Sequence, residues 1–384
     1  MLDRMKADLA ALRAADQFRD LAVPAGVQLN SNDYLGLSGH PRLKEAIARA
    51  LETDDRFAST GSRLLSGHHQ RWEQLEAEFA AFVGAEAALF FSSGYAANVG
   101  LLSSVLKPED IVFSDASNHA SLIDGIRLSG ARKVIFPHLD LNFLEDALRR
   151  LEHAGRKVVV VEHIFSMDGD HAPLDDLKEL CERFDASWIV DEAHSVGVET
   201  APYGGALASV YPCGKALASM GAFVTGSQTL RDYLINHARP FIFSTALPPY
   251  CAAHLREAIA LVSAADRERA HLQELGEYLR QKLRDAGCDI GRSDSQIIPI
   301  VLGANETALR FAAAASAAGF SIRAIRPPTV PNGTARLRVS LNAKLSIADL
   351  DRFVETLVVA GLEEGTIPSS KEGWSRRSNN GTLP

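Results

Sequence analysis

Asp191, His194 and Lys215 are the residues of this 384-residue chain whose types and spacing promise chemistry. The run Ala186-Ser187-Trp188-Ile189-Val190 is apolar and partly β-branched and breaks at Asp191; His194 follows, and after a short interval comes Lys215, set between Gly214 and Ala216. Such a run reads as a strand of an open α/β sheet, where ligands sit at the carboxyl ends of parallel strands. A buried carboxylate needs a cationic or donor partner. A protonated heteroaromatic nitrogen is one such partner, and a lysine nearby can form a Schiff base with an aldehyde on the same ring. A plainer reading stands beside this one: Asp191 caps the next turn and Lys215 is solvated.

The elements that must position these residues are strands and helices in alternation, and further candidates lie where strands end. Ala87-Ala88-Leu89-Phe90-Phe91 is a short apolar strand, and Ser92-Ser93-Gly94-Tyr95 turns it into a helix running to about Leu106. Free backbone N–H groups and the helix dipole converge at such a turn and suit a phosphate. No G-x-G-x-x-G and no Walker lysine occur there, so neither a dinucleotide nor a nucleoside triphosphate is indicated. Tyr95 packs on a ligand's edge or is structural. His119 follows a strand at Asp110-Ile111-Val112-Phe113 and opens a helix, where it lies flat on an aromatic ring or serves as a cap. Further strands are expected over Lys133–Pro137 and Lys157–Val161; the second, a valine run, leads into a polar loop from His163 to Asp170 that contains Ser166. Asn32, within Leu29–Leu37, enters a site or makes an Asx turn. His68 and His69 are adjacent and diverge, so no metal site is expected.

Composition bounds the rest. Single cores stop growing at about 250 to 300 residues, so a chain of 384 implies a large domain and a smaller one. The balance of 40 basic against 48 acidic residues gives −8, which argues against non-specific nucleic-acid binding. The cysteines 181, 213, 251 and 288 are far apart, with no Cys-x-x-Cys, which fits a reducing cytoplasm. No apolar run approaches about 18 residues and the N-terminus lacks a signal peptide's apolar core, so a soluble, non-membrane protein is expected. Leu2, Met5, Leu9 and Leu12 recur at helical spacing, so residues 2–18 should form an amphipathic helix lying on another surface. The expected organisation is an N-terminal helix and arm at 1–50, a large ligand-binding domain at 51–248, a small α/β domain at 249–364 and a disordered polar tail at 365–384.

Taken in order, Ser31-Asn32-Asp33-Tyr34-Leu35-Gly36-Leu37, Ser93-Gly94-Tyr95-Ala96-Ala97-Asn98, Phe165-Ser166-Met167-Asp168-Gly169-Asp170, Asp191-Glu192-Ala193-His194-Ser195-Val196-Gly197, Gly214-Lys215-Ala216-Leu217 and Arg326-Pro327-Pro328-Thr329-Val330-Pro331 resemble the α-oxoamine synthases. The resemblance runs from about residue 16 to 362. It implies the aspartate-aminotransferase-like, fold type I architecture and pyridoxal 5′-phosphate as cofactor. The Arg326–Pro331 segment looks more like the members that condense L-alanine with a pimeloyl thioester to 8-amino-7-oxononanoate than like glycine- or serine-using relatives.

The resemblance also implies roles. Lys215 would carry the cofactor and act as the base, Asp191 would pair with the pyridinium nitrogen, His194 would meet the ring's 3-oxygen and His119 would stack on the ring. Gly94, Tyr95 and Ser166 would add cofactor contacts, and Ser244 and Thr245 would reach the phosphate of a neighbouring subunit in a homodimer with shared sites. Arg19, Asn32, His119, Thr329 and Arg338 match substrate positions, Arg338 as the carboxylate anchor. The chain departs from the pattern in three places. The stretches between Arg19 and Asn32 and between Gly197 and Lys215 are short, and Pro212 stands where many relatives have a threonine. Proline offers neither a hydroxyl nor an N–H to a phosphate.

Overall fold

The computed structural model describes residues 1–151, 155–199 and 204–364, so the tail expected at 365–384 lies outside the described residues. By its internal contacts the chain divides into a larger unit, Asn32–Leu272 with Asn342–Lys344, and a smaller one, Met1–Ser31 with Gln273–Leu341 and the described residues from Leu345 onward.

The larger unit is built on a seven-stranded sheet, crossed in the order Ala87–Phe91, Ala222–Gly226, Ala208–Pro212, Ala186–Asp191, Lys157–Glu162, Ile111–Asp115, Arg132–Phe136. Ala222–Gly226 is antiparallel to both its neighbours and the other pairings are parallel. Side chains alternate along a strand, so a run of valines must feed two cores at once. Val158 and Val160 pack with Leu101, Leu122, Ile189 and Val210, while Val159 and Val161 pack with Phe113, Leu177, Trp188 and Val190. Helices Gly94–Val105 and Ala120–Ser129 cover the first face, and Leu141–Arg150 and Leu174–Arg183 the second. Each such side chain fully buried stabilises the layer by about 1.5–3 kcal/mol. The register sets Glu162 beside Asp191 and Asp191 beside Val210. The carboxyl ends of parallel strands thus bring Asp115, Glu162, Asp191 and Pro212 to one edge.

Three expectations change. Helix Tyr250–Ser263, assigned from sequence to the small domain, packs on Pro41–Thr53 and Gln70–Phe82 in the larger unit, because its Cys251, Leu255, Ala258 and Val262 stripe is buried there. The small unit instead takes in residues 1–31, tied to it by parallel pairing of Val27–Gln28 with Phe320–Ser321. Within that unit Phe320–Ser321 turns to this partner, while Ala324–Ile325 joins a sheet with Ala335–Ser340 and Ile297–Gly303. The N-terminal helix ends at Ala14, with Asp16 in the left-handed region at φ 52, and buries none of its residues in this chain. No helix among the described residues is long and apolar enough to cross a membrane.

Candidate active site

Asp191 ends its strand buried, with two donors on its carboxylate: Ala193 N–H to Oδ1 at 2.9 Å and Asn98 Nδ2 to Oδ2 at 2.7 Å. Burial pushes its pKa up, opposed in turn by the Lys215 charge, the Asn98 hydrogen bond and the His119 charge. Lys215 sits half-buried in the turn after Ala208–Pro212, and its field reaches Asp191, Glu162 and His119 alike. His119 caps helix Ala120–Ser129, its Nδ1 accepting from Ser121 N–H at 3.2 Å and lying 2.7 Å from Ser121 Oγ. The residue is exposed overall, yet desolvation of the ring lowers its pKa and favours the neutral imidazole.

His194 and Asn32 meet through a residue not singled out from sequence. The buried Tyr34 hydroxyl is 2.5 Å from His194 Nδ1 and 3.2 Å from Asn32 Oδ1. Asp33 braces the same turn by accepting from Leu37 N–H at 2.8 Å and Ser38 N–H at 3.0 Å. The loop bearing His194 is fixed from behind, where Glu192 Oε2 lies 2.7 Å from His163 Nδ1 and accepts from Ser195 Oγ–H.

Gly94 opens helix Gly94–Val105 and lies against Pro212, so closely that a Cβ on Gly94 would come within 2.8 Å of Pro212 Cγ. Ser93 caps that helix by accepting from Ala96 N–H at 3.1 Å. Tyr95 is exposed, bonded through its hydroxyl to Asp124, with its ring edge-on to His119 at 6.5 Å. Ser166 is buried and donates its backbone N–H to Glu162 Oε2 at 3.2 Å. Ser244 and Thr245 line a cleft with Arg63, Trp72 and Phe241.

In the smaller unit Arg19 and Thr329 come together, Nη2 donating to Oγ1 at 3.1 Å. Arg326 holds the preceding turn, Nη2 donating to Phe18 O at 3.1 Å and Nη1 to Asp16 O. Arg338 is buried on strand Ala335–Ser340 and donates from Nη1 to Ser340 Oγ at 2.6 Å.

Comparison with known proteins decides the kinship. Residues 24–357 match the model of the family described as aminotransferase class I and II. The chain belongs to that family. A Geobacillus kaustophilus protein bearing the provisional name 8-amino-7-oxononanoate synthase is 44% identical over 353 residues, covering 89% of this chain and 90% of the relative. An 8-amino-7-oxononanoate synthase structure from Francisella tularensis superposes with a TM-score of 0.77 at 28% identity, covering 88% of this chain and 99% of that one. A serine palmitoyltransferase variant from S. paucimobilis with a bound PLP–myriocin adduct gives 0.87 at 28%, covering 95% and 98%. Within the aminotransferase family the chain therefore stands with the α-oxoamine synthases, is most like 8-amino-7-oxononanoate synthase and has the type I fold. As such a member it is a pyridoxal-phosphate enzyme of the acyltransferase kind.

The residues present fit that cofactor. Asp191 and Glu162 are two buried carboxyls side by side; burial first and then the Asp191 charge push Glu162 up to about 8. Such a pair favours a cation at its open edge, as a pyridinium N–H is. Glu162 was readable in the sequence, because Lys157–Val161 ends in an acid just as Ala186–Val190 does. Tyr34, Asn98 and Ser121 gave no such local signal, since each matters through a partner remote in the chain.

Proposed function

We propose that this aminotransferase-family enzyme condenses L-alanine with a pimeloyl thioester, releasing carbon dioxide and giving 8-amino-7-oxononanoate for biotin synthesis in the cytoplasm. The observation that carries the reading is the 44% identity across 353 residues to a relative of that name, supported by the Arg326–Pro331 segment. When bound, the cofactor supplies an aldehyde for the amino nitrogen and a cationic ring that draws electrons from the α-carbon.

The chain's own residues then divide the work. Lys215 Nζ, half-buried in the turn after Ala208–Pro212, holds the cofactor and afterwards takes the α-proton. Asp191 keeps the ring nitrogen protonated. His119, held neutral, offers a flat apolar face to the ring, and His194 offers Nε2 to the 3-oxygen while Tyr34 engages Nδ1. Gly94, Tyr95 and the helix N-terminus serve the phosphate end, Ser166 adds a contact, and Ser244 and Thr245 serve the phosphate of a second copy in a homodimer. Arg19, Asn32 and Thr329 contact substrate, and Arg338 grips the alanine carboxylate, for which a guanidinium fork is matched.

A second reading, serine with a long-chain acyl thioester, draws on the higher TM-score of the serine palmitoyltransferase, 0.87 against 0.77. The test uses the purified holoprotein. L-alanine, glycine and L-serine are each titrated against the visible spectrum, and product is sought by mass spectrometry with pimeloyl and palmitoyl thioesters. Alanine with the pimeloyl thioester is the expected pair, and faster turnover of serine with the palmitoyl thioester would overturn it. In Lys215→Ala, turnover is expected to vanish together with the cofactor linkage that borohydride fixes.

A further inference from the structure

We propose that Asn98 is a positioning residue that holds Asp191 and His119 in register with each other, and that Ser121 carries its influence to the histidine. The proposal rests on the reading that Asp191 and His119 meet the cofactor. Asn98 lies fully buried in helix Gly94–Val105, and its one amide nitrogen donates to both Asp191 Oδ2, at 2.7 Å, and Ser121 Oγ, at 2.9 Å. A carboxylate only accepts, so the amide must present nitrogen to Asp191. Both amide protons are then committed, and the buried Oδ1 is left without a hydrogen-bond partner.

The remaining proton positions follow. Ser121 Oγ accepts from Asn98, so its own proton goes to the other neighbour, His119 Nδ1, 2.7 Å away. Nδ1 already receives the Ser121 backbone N–H at 3.2 Å, so it is the acceptor nitrogen and the ring proton sits on Nε2. One side chain thus fixes the rotation of a carboxylate and the tautomer of an imidazole whose residues are separated by 72 positions, 119 to 191. The charged groups whose fields reach His119 are Asp191 and Lys215, and those acting on Asp191 are Lys215 and His119. Glu162 is coupled to Asp191 in turn, and the Tyr95 ring edge stands 6.5 Å from His119.

The two arms separate experimentally without any acyl substrate. The readouts are pyridoxal phosphate affinity by equilibrium dialysis and the pH dependence of the bound cofactor's visible band, which remain interpretable if the alanine assignment fails. Asn98→Leu removes a hydrogen bond to a charged group and is expected to weaken cofactor binding about tenfold or more. Ser121→Ala cuts only the histidine arm. It should leave affinity within about twofold and move the acid-side inflection of the band to higher pH, because a donor that favoured the neutral ring is gone. Ser121→Thr, which keeps the hydroxyl, should restore the wild-type profile. An unmoved inflection in Ser121→Ala, or a profile that Thr fails to restore, overturns the relay even if Asn98→Leu does not fold. Unchanged affinity in a folded Asn98→Leu overturns the Asp191 arm.

Discussion

His138 offers the sharpest test of how the loops around Asp115 and Ser166 are held. It follows strand Arg132–Phe136 and stands between two buried aspartates, Nδ1 2.8 Å from Asp115 Oδ1 and Nε2 3.1 Å from Asp170 Oδ2. Both ring nitrogens face acceptors, so both must donate and the ring is a cation. Burial alone would push the imidazole down; hydrogen bonds to Asp115 and Asp170, with their charges, prevail and hold it up at about 10. Asp115 closes the strand that leads to His119, and Asp170 O accepts from Phe165 N–H at 3.0 Å within the loop of Ser166. The triad therefore ties together two segments of the candidate site.

A folded-state pKa raised from 6.5 to about 10 means that the native protein binds a proton the unfolded chain releases across that interval. The stabilisation is complete below about pH 6.5 and is lost as pH rises toward 10. At about 1.4 kcal/mol per pH unit the ceiling is about 5 kcal/mol. With 23% of the His138 side chain open to solvent, screening brings this to about 1–2 kcal/mol. His138→Gln cannot carry the charge. In urea unfolding of the holoproteins, wild type should lead this variant by about 1–2 kcal/mol at pH 6, and the gap should close toward pH 10. Glu162, raised to about 8, loses its own contribution between about 4.5 and 8, but equally in both proteins, so it cancels. A gap that stays constant or widens with pH would refute the cationic clamp.

Three further outcomes are expected. Asp191→Asn should cut turnover by about a hundredfold or more, at about 1.4 kcal/mol per tenfold; a near-normal rate would make Asp191 structural. Gly94→Ala places a Cβ 2.8 Å and 2.9 Å from Pro212 Cγ and Cβ, which should cost about 1–3 kcal/mol in unfolding and weaken cofactor binding, whereas the paired Gly94→Ala, Pro212→Ala should recover part of the loss. Arg338→Ala should weaken L-alanine binding about tenfold or more, read from the visible spectrum, and leave thioester affinity nearly unchanged; unaltered alanine affinity would pass the carboxylate role to another residue.

What could be read from sequence was what a strand and the turn after it carry within a few residues. The valine run at 157–161 dictated a strand buried on both faces, and Asp191 and Lys215 stood out because each interrupts a run of apolar or small neighbours. Local periodicity likewise gave helix Gly94–Val105 and the place of His119 as the residue before a helix. The apolar stripe of Tyr250–Ser263 was equally plain, but no periodicity says which unit will bury it, and contact with Pro41–Thr53 decided the matter.

The less legible part of the site is its supporting layer, because hydrogen bonds close over distances in the chain that spacing does not encode. Asn98 reaches Asp191 across 93 residues and Tyr34 reaches His194 across 160. Pro212 shows the same limit from the other side. Read alone, it is a lost hydroxyl near Lys215; in the fold, its ring packs against the Cα of Gly94, at the start of the helix whose N-terminus is proposed to meet the phosphate. A glycine there admits the proline, and the proline in turn forbids a side chain at 94. The departure at one strand end and the small residue at another are therefore a single packing constraint, and substitutions at the two positions should fail to add.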